Sequence, residues 1–213
     1  MINLQNLKES DYTDAMKHSI SVTDHDLKEV AKLIPIGKWA TTDGNLLLSF
    51  ANWRKTFMRF FFTQFETSVE STLKYLKNFS INEPNRIFFA IYERNNLIGH
   101  IGLCNICIFK AELDNMIRGK SGEHPDLMYF VEKTVLMWAF DTLEVKTVDA
   151  RVMSNNFMAL SLHERLGFKL KTRYHLKRVI KKNTVIFQRS NQNESTETFF
   201  QDIMEVTRYS FLN

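Results

Sequence analysis

The sequence predicts a mixed α/β domain of the α+β type, and three observations lead to that prediction. Compact apolar runs alternate with segments of helical spacing through the second half of the 213-residue chain. The composition, 44% hydrophobic and 24% charged, is typical of a globular protein with one sizeable core. No stretch rich in Pro, Gly or Ser marks a linker, so we expect one domain covering 1–213.

The first part of the chain is predicted to be largely helical. The segment 22–26 offers cap residues before apolar residues at helical spacing, which predicts a helix over 27–34 that ends at Pro35 and Gly37. The aromatic segment 39–65 has no clear period, so it fits either the core or a substrate wall. A helix is predicted over 68–79, because apolar side chains recur on one side of it.

The second part alternates strands and helices. Strands are predicted over 86–92 and 97–109, a third over 111–118, and another over 145–152. Further predicted elements are helices over 126–143 and 156–166, the second ended by Gly167, strands within 168–189, and a last helix over 194–213.

The distribution of charged residues along the sequence indicates which kinds of ligand the protein binds. The net charge is +4, but the 28 basic residues are interleaved with 24 acidic ones, which favours a small polyanionic ligand over nucleic acid. No apolar run approaches the roughly 20 residues that span a bilayer, and the first residues lack a signal-peptide pattern. We therefore expect a cytoplasmic protein that binds neither membrane nor nucleic acid.

The two cysteines, Cys104 and Cys107, have the Cys-x-x-Cys spacing of redox and metal sites. On a strand over 97–109, however, an offset of three places them on opposite faces. A second cysteine pair that would complete a zinc site is absent from the sequence. The prediction is two buried, reduced thiols and no metal.

The segment 156–168, which reads NFMALSLHERLGF, carries a family resemblance. It resembles the second cofactor segment of the GNAT superfamily of acetyltransferases, in which an Asn, an Ala three residues later and a terminal Leu-Gly-Phe flank a short helix after a central strand. An amphipathic helix with a glycine C-cap would also explain the spacing and Gly167. It would not explain the preceding strand and helix.

The segment 111–125 is similar to the strand and pyrophosphate loop of the same family. Glycines let backbone N–H groups converge on phosphate, and the following helix N-terminus adds partial positive charge. Ser121 and Glu123 stand where the family has small residues, so the register of the loop stays open, as does a plain basic surface turn. The cofactor-binding residues that the resemblance implies here are Arg118, Gly119, Lys120, Ser121, Gly122, Glu123 and His124.

The resemblance also implies a mechanism. A bulge in the strand over 112–118 would expose the amides of Met116, Ile117 and Arg118 to the pantetheine and the thioester oxygen. Asn156 would bind the pantetheine, or act only as an N-cap. His163 takes the place of the family's tyrosine as the acid that protonates the CoA thiolate, unless it is a histidine on the helix surface.

Candidate bases follow from strand geometry. Glu112 and Asp114 share one face of the predicted strand and could take the proton of the amine, but they could also be solvated or bind a cationic substrate. His100, on the neighbouring strand, is a weaker candidate that we expect to pack beside apolar residues.

The resemblance thus implies an N-acetyltransferase of the GNAT fold, with a mixed central sheet, splayed central strands, acetyl-CoA as co-substrate and no metal. Residues 1–85 would form the acceptor side, 86–190 the acetyl-CoA-binding core and 191–213 a C-terminal extension. The amino-acid sequences of segments 98–103 and 111–119 resemble those of GNAT enzymes that acetylate amino sugars on nucleotide carriers. The alternatives are an N-terminal acetyltransferase of the ribosomal-protein type and a non-catalytic acyl-CoA-binding protein, in each case a monomer or a homodimer.

Overall fold

A computed structural model describes residues 3–212, so Met1, Ile2 and Asn213 of the predicted single domain lie outside the described residues. These residues form one mixed sheet with helices on both faces, which confirms the predicted fold class. The helices are α1 Leu4–Glu9, α2 Tyr12–Lys17, α3 Gly44–Thr56, α4 Val69–Tyr75, α5 Leu127–Thr142, α6 Phe157–Arg165 and α7 Arg208–Leu212. The strands are β1 Ile20–Thr23, β2 Glu29–Pro35, β3 Thr63–Gln64, β4 Ile87–Glu93, β5 Asn96–Cys104, β6 Lys110–Arg118, β7 Thr147–Met153, β8 Lys169–Lys181, β9 Thr184–Ser190 and β10 Phe200–Thr207.

The sheet has the order β1-β2-β4-β5-β6-β7-β10-β8-β9-β3. Its central pair, β6 and β7, is parallel, with α5 as the crossover between them. The other neighbouring strands are antiparallel, and β10 lies between β7 and β8. A buried apolar cluster containing α5 covers one face of the sheet, and a second cluster containing α3 covers the other.

The central strands splay apart. Lys110 to Leu113 pair with Thr147 to Ala150, and beyond these positions the two strands share no paired residues in the described chain. The register of β6 against β5 also shifts between His100 and Gly102, and Asn115 has a positive φ of 48°. These features define a β-bulge at Asn115, beside the opening between the strands. The splayed strands and the bulge agree with the GNAT prediction.

The predicted helix over 27–34 is wrong, because this segment is β2, paired with β1. The polar residues before it build a turn rather than a helix cap. The Asp24 carboxylate accepts the amides of Asp26 and Lys28 at 2.9 and 3.0 Å, and Leu27 adopts a positive φ of 61°. Ala31 and Leu33 then alternate into the core, as strand residues do.

The predicted helix over 194–213 is also largely wrong. Phe200–Thr207 is β10, with cross-strand partners on both sides, and Arg208–Leu212 alone is α-helical in the described tail. Met204 and Val206 alternate into the apolar cluster, so the period is two and not 3.6. Residue 213 lies outside the described residues.

The aromatic segment 39–65, for which no structure was predicted, contains α3, a short 3₁₀ helix over Met58–Phe60 and then an extended stretch. Residues 60–65, which we call the strap, leave α3 and reach the far edge of the sheet. There β3 pairs with β9, and the Phe62 carbonyl accepts the Phe187 amide at 2.8 Å. The strap therefore connects the two halves of the sheet across the face that carries α3 and α4.

Candidate functional site

Two cavities lie on the face covered by α3, α4 and the strap, and residues of the β6 bulge line both. Their volumes are about 410 and 380 Å³, within the usual range for small-molecule sites. The first, the aromatic cavity, is lined by Phe50, Arg54, Thr63, Phe65, Thr67, Ser71, Thr72, Tyr75, Leu76, Phe79, Phe88, His100 and Asn115. The second, the ionic cavity, is lined by Phe60, Phe61, Phe62, Arg86, Cys104, Glu112, Leu113, Asp114, Arg151, Phe187, Arg189 and Gln201.

The structure brings Glu112 and Asp114 to the same cavity, but their partners differ. Glu112 forms a two-point ion pair with Arg151, with one Nη2–Oε2 contact of 2.8 Å, and also accepts the Asn105 amide at 3.0 Å. Asp114 lies 3.4 Å from Arg86, and its Oδ2 has no hydrogen-bond partner within the described residues. Burial raises the Asp114 pKa, although the Arg86 charge acts in the opposite direction.

The bulge is held by a hydrogen-bond network from α3, α4 and the strap. The Asn115 side-chain amide donates to the Tyr75 hydroxyl at 2.8 Å, and Arg86 donates to the same oxygen at 3.2 Å. Arg54 donates to the Asn115 carboxamide oxygen at 3.2 Å and to the Thr63 carbonyl at 3.0 Å. Burial lowers the pKa of Arg54 to about 10, so it stays charged at neutral pH. The conformation at Asn115 is therefore fixed from the side of α3, α4 and the strap.

His100 lies in the wall of the aromatic cavity, packed against Phe50 and Phe88. Its Nδ1 is 2.6 Å from the Asn115 carbonyl, which can only accept, so Nδ1 carries the proton. Burial lowers its pKa to about 3, which makes the ring neutral and a poor proton acceptor at physiological pH. This agrees with the expectation that His100 packs rather than acts as the base.

The predicted pyrophosphate loop, 118–124, is largely satisfied by the protein itself. The amides of Gly119 and Lys120 donate to the Ile98 carbonyl at 2.8 and 3.0 Å. The Arg118 guanidinium donates to carbonyls of the loop, including those of His124 and Pro125 at 3.3 and 3.2 Å. Arg118 therefore organises the loop, and its role toward phosphate stays a prediction.

Sequence reasoning missed Glu93, whose buried carboxylate enters the same loop. It accepts the Glu123 amide at 2.8 to 2.9 Å and the His124 amide at 3.2 Å. The amides of Ser121 and Gly122 have no hydrogen-bond partner within the described chain, and their role toward phosphate stays a prediction. In the sequence, Glu93 is simply an acidic residue at the end of a predicted strand. Such residues are common, so this position alone does not indicate that Glu93 binds the loop.

Of the two residues predicted at α6, Asn156 caps the helix and His163 contacts α5. Asn156 accepts the Ala159 amide at 3.4 Å, so it caps α6, and its role toward the pantetheine stays a prediction. His163 is buried, with Nδ1 2.6 Å from Oε1 of Glu132 on α5. The alternative of a surface histidine is therefore wrong. Sequence reasoning missed Glu132, because a charged residue in a mostly apolar helix is usually placed on the outer face.

The two cysteines do not share a strand. Asn105, with a positive φ of 51°, ends β5 directly after Cys104, and Cys107 lies exposed in the following loop. The prediction of two buried thiols is wrong for Cys107. Both thiols are free, and no group of three or more potential metal ligands occurs among residues 3–212.

Comparison with known proteins identifies the family. Residues 36–169 match the family described as Acetyltransferase (GNAT) domain. This chain belongs to the GNAT acetyltransferase family. The predicted enzyme class, an acyltransferase that uses acetyl-CoA, is confirmed at the level of the family.

Solved GNAT structures share the fold at low sequence identity. Spermidine N-acetyltransferase from Vibrio cholerae, in complex with CoA and spermine, is 16% identical with a TM-score of 0.65, over 86% of this chain and 99% of the other. N-acetyltransferase PseH from Campylobacter jejuni is 16% identical with a TM-score of 0.54, over 84% and 99%. Microcin C7 self-immunity acetyltransferase MccE, in complex with acetyl-CoA and AMP, is 12% identical with a TM-score of 0.63, over 84% and 93%.

A search of curated protein sequences found no match. Within residues 3–212, no helix has the length and apolar character needed to cross a bilayer.

Proposed function

We propose that this protein transfers the acetyl group of acetyl-CoA to the primary amine of a nucleotide-linked amino sugar. The observation that carries the proposal is the charge of the two cavities. Four arginines, Arg54, Arg86, Arg151 and Arg189, face two carboxylates, Glu112 and Asp114. A net positive site favours an anionic acceptor and disfavours a polyamine such as the spermine bound to the Vibrio cholerae neighbour.

The aromatic lining supports a nucleotide as the anionic part. Phe60, Phe61, Phe62 and Phe187 line the ionic cavity beside Arg189. Aromatic rings stack on nucleobases, and arginine pairs with phosphate in a two-point geometry. The neighbour MccE contains AMP together with acetyl-CoA, so a nucleotide is compatible with this fold. We also propose a cytoplasmic location, as the sequence analysis predicts.

The proposed mechanism uses the two faces of the sheet. Acetyl-CoA would lie along the opening between β6 and β7 on the side of α5 and α6, held by the amides of Ser121 and Gly122 and by Asn156. It supplies the activated acetyl group. The acceptor would enter through the cavities on the opposite face, where Asp114 takes a proton from the amine. The Met116 amide, directly after the bulge, would stabilise the thioester oxygen, and His163 would protonate the departing sulfur.

The test is thiol release from acetyl-CoA with a panel of acceptors. We expect nucleoside-diphosphate amino sugars to exceed the corresponding free amino sugars by at least about tenfold in kcat/KM, and that advantage to decrease with salt. Higher kcat/KM for spermidine or for N-terminal peptides would overturn the proposed acceptor. No thiol release with any amine, despite binding of acetyl-CoA, would support the non-catalytic alternative instead.

A matched pair of variants tests the charge argument. Arg189 lines the ionic cavity and is held by Gln201 and the Tyr174 ring, and no carboxylate among residues 3–212 pairs with it. Arg189→Gln should raise KM for the nucleotide-linked acceptor about tenfold, with little change for acetyl-CoA. Lys177 lies on the opposite face of the sheet, paired with Glu194, so Lys177→Gln should change neither value. Equal effects of the two variants would contradict an anion site at Arg189.

A further inference from the structure

Arg54 places a positive charge in the wall of the aromatic cavity, and no carboxylate within residues 3–212 forms an ion pair with it. Its guanidinium donates instead to two neutral oxygens, those of the Asn115 carboxamide and the Thr63 carbonyl. It also lies 3.3 Å from the centroid of the Phe61 ring. A partly buried cation with neutral partners alone leaves a charge for a ligand to balance.

The hydrogen-bond donors of this wall are not all used by the protein. A guanidinium has five N–H donors, and the Nε of Arg54 is buried without a partner in the part of the chain that the structure describes. The Tyr75 oxygen accepts from both Asn115 and Arg86, so its own proton remains to be donated, and no described residue accepts it. Unused buried donors of this kind indicate an acceptor that comes from outside the protein.

The rest of the cavity wall shows which kind of acceptor fits. It is largely aromatic, with Phe50, Phe65, Phe79 and Phe88, and no negatively charged side chain lines it. A carboxylate accepts hydrogen bonds without donating any, and its single charge would balance that of Arg54. A phosphate group carries nearly twice that charge at neutral pH, so a carboxylate is the better match.

The position of this wall relates the anion to the reacting amine. Asn115, which contacts both Arg54 and Tyr75, directly follows Asp114, the proposed base, and consecutive Cα atoms are about 3.8 Å apart. Asn115 lines the aromatic cavity, whereas Asp114 lines the ionic cavity. An amine at Asp114 and a carboxylate at Arg54 can therefore belong to one sugar ring, with the nucleotide extending toward Arg189.

We propose that the acceptor is an amino sugar acid, whose ring carries a carboxylate that binds Arg54 and Tyr75 in the aromatic cavity. The inference rests on the proposed function and narrows its acceptor class. The phosphates of the nucleotide bind at Arg189, and the ring carboxylate binds at Arg54. A neutral sugar is disfavoured, because a hydroxymethyl group in place of the carboxylate leaves the charge of Arg54 unbalanced.

A panel of four acceptors tests the carboxylate and the nucleotide separately. It compares an amino sugar that has a C6 carboxylate with its counterpart that has a C6 hydroxymethyl group, each in the free form and linked to a nucleoside diphosphate. We expect kcat/KM, measured by thiol release from acetyl-CoA, to be at least about tenfold higher for the carboxylate in both forms. Equal values for the two sugars would overturn the inference, even if linkage to the nucleotide raises both.

The opposite result separates the two proposals. A carboxylate preference of about tenfold among the free sugars, without any advantage from the nucleotide, would reject the nucleotide-linked acceptor and keep the subsite at Arg54. If no sugar is acetylated, isothermal titration of the free sugar acid and its hydroxymethyl counterpart measures the same preference as a ratio of Kd values. Equal Kd values would again overturn the inference.

A matched pair of variants on α3 tests the role of Arg54. Arg54→Gln should reduce the carboxylate preference to about twofold or less, because the charge that selects the anion is gone. Lys55, the next residue of the helix, is exposed and lines neither cavity, so Lys55→Gln should keep the wild-type preference. The readout is the ratio of kcat/KM values for the two sugars, which a general loss of activity through the Asn115 bulge does not change. An unaltered ratio in Arg54→Gln would assign the selectivity to another residue. If this variant does not fold, the wild-type panel still decides.

Discussion

Glu112 and Asp114 are two residues apart on β6, yet their surroundings give them different roles. Arg151 and Asn105 bind the Glu112 carboxylate directly, whereas Oδ2 of Asp114 accepts no hydrogen bond in the described chain, although it lies 3.4 Å from Arg86. Burial raises the Asp114 pKa. A carboxylate with a raised pKa accepts a proton more readily. The sequence places both residues on one face of a strand, but it does not contain the partners, which come from distant segments.

Asp114→Asn should lower kcat by about 10² or more, because it removes the proposed base. It should also raise Tm at neutral pH. Since the pKa of Asp114 is raised in the folded protein, ionisation costs stability as the pH rises from the ordinary pKa of aspartic acid, about 4, to the folded-state pKa, and the amide avoids this cost. The gain in Tm should therefore shrink as the pH falls toward about 4 and disappear below it, where Asp114 is protonated in both states.

Glu112→Gln is the matched control for this prediction. It breaks the ion pair with Arg151, so it should lower Tm slightly and reduce kcat by less than about tenfold. Steady-state kinetics and thermal melts from pH 4 to pH 8 provide both measurements. A larger loss of kcat for Glu112→Gln than for Asp114→Asn would assign the base to Glu112.

The two thiols should differ in reactivity. Burial raises the pKa of Cys104 to about 12, whereas hydrogen bonds from the amides of Phe109 and Lys110 lower that of Cys107, which is exposed. The thiolate is the reactive form. Iodoacetamide at pH 7.5 should therefore modify one cysteine, as measured by mass spectrometry of the intact protein. Cys107→Ser should abolish the modification and Cys104→Ser should not. Rapid loss of both thiols in the folded protein would contradict the assignment.

At the scale of secondary-structure elements, the predicted bounds are most accurate for segments in which apolar residues follow a single period. Helix α5 and the strands β4, β6 and β7 fall within two residues of their predicted bounds, because each buries a clear apolar face. The hairpin of β1 and β2 was missed, since the Asp24 turn resembles a helix cap in sequence. β10 was missed because its pairing with β7 and β8 depends on strands far away in the chain.

The cofactor loop shows a similar limit. The sequence analysis selects Gly119 and Gly122 because glycine lets the backbone approach phosphate. In the structure, close packing against neighbouring side chains also requires glycine at each position. A Cβ on Gly119 would lie 1.9 Å from the Trp53 indole, and one on Gly122 would lie 2.8 Å from the Glu93 carboxylate. Neither neighbour could be inferred from the local sequence, because Trp53 and Glu93 belong to α3 and β4.

Gly119→Ala should therefore destabilise the protein by about 1–3 kcal/mol through overpacking against Trp53. Gly44→Ala is the control, because Gly44 begins α3 and a Cβ there meets no atom within 4 Å. That change should be neutral or stabilise by up to about 1 kcal/mol. Urea unfolding measures both free energies. Equal stabilities of the two variants would contradict the close approach of Gly119 to Trp53.

At the scale of the whole molecule, the position of β10 joins two parts of the sheet. It contributes pairs to β7 on one side and to β8 on the other, so without it both strands would have open edges. A chain that ends before residue 200 should lose cooperative unfolding and aggregate. A chain that ends after Thr207 lacks only α7, with the Phe211 contact to Phe140, and should fold with a lower Tm.

Circular dichroism melts and size-exclusion chromatography distinguish the two truncations. A soluble, cooperatively folded chain without β10 would show that β7 and β8 close the sheet in another way.

The same arrangement has a consequence for biosynthesis. Ribosomes extend a chain from its amino end, and domains generally begin to fold as they emerge. Because β10 is the last of the ten strands in chain order, the parts containing β7 and β8 must wait for it with unpaired edges. Exposed edges of this kind are sites of intermolecular pairing. The yield of native enzyme in a cell should therefore depend on chaperones that bind the nascent chain during this interval, more than for proteins in which the strands that pair with each other are made consecutively.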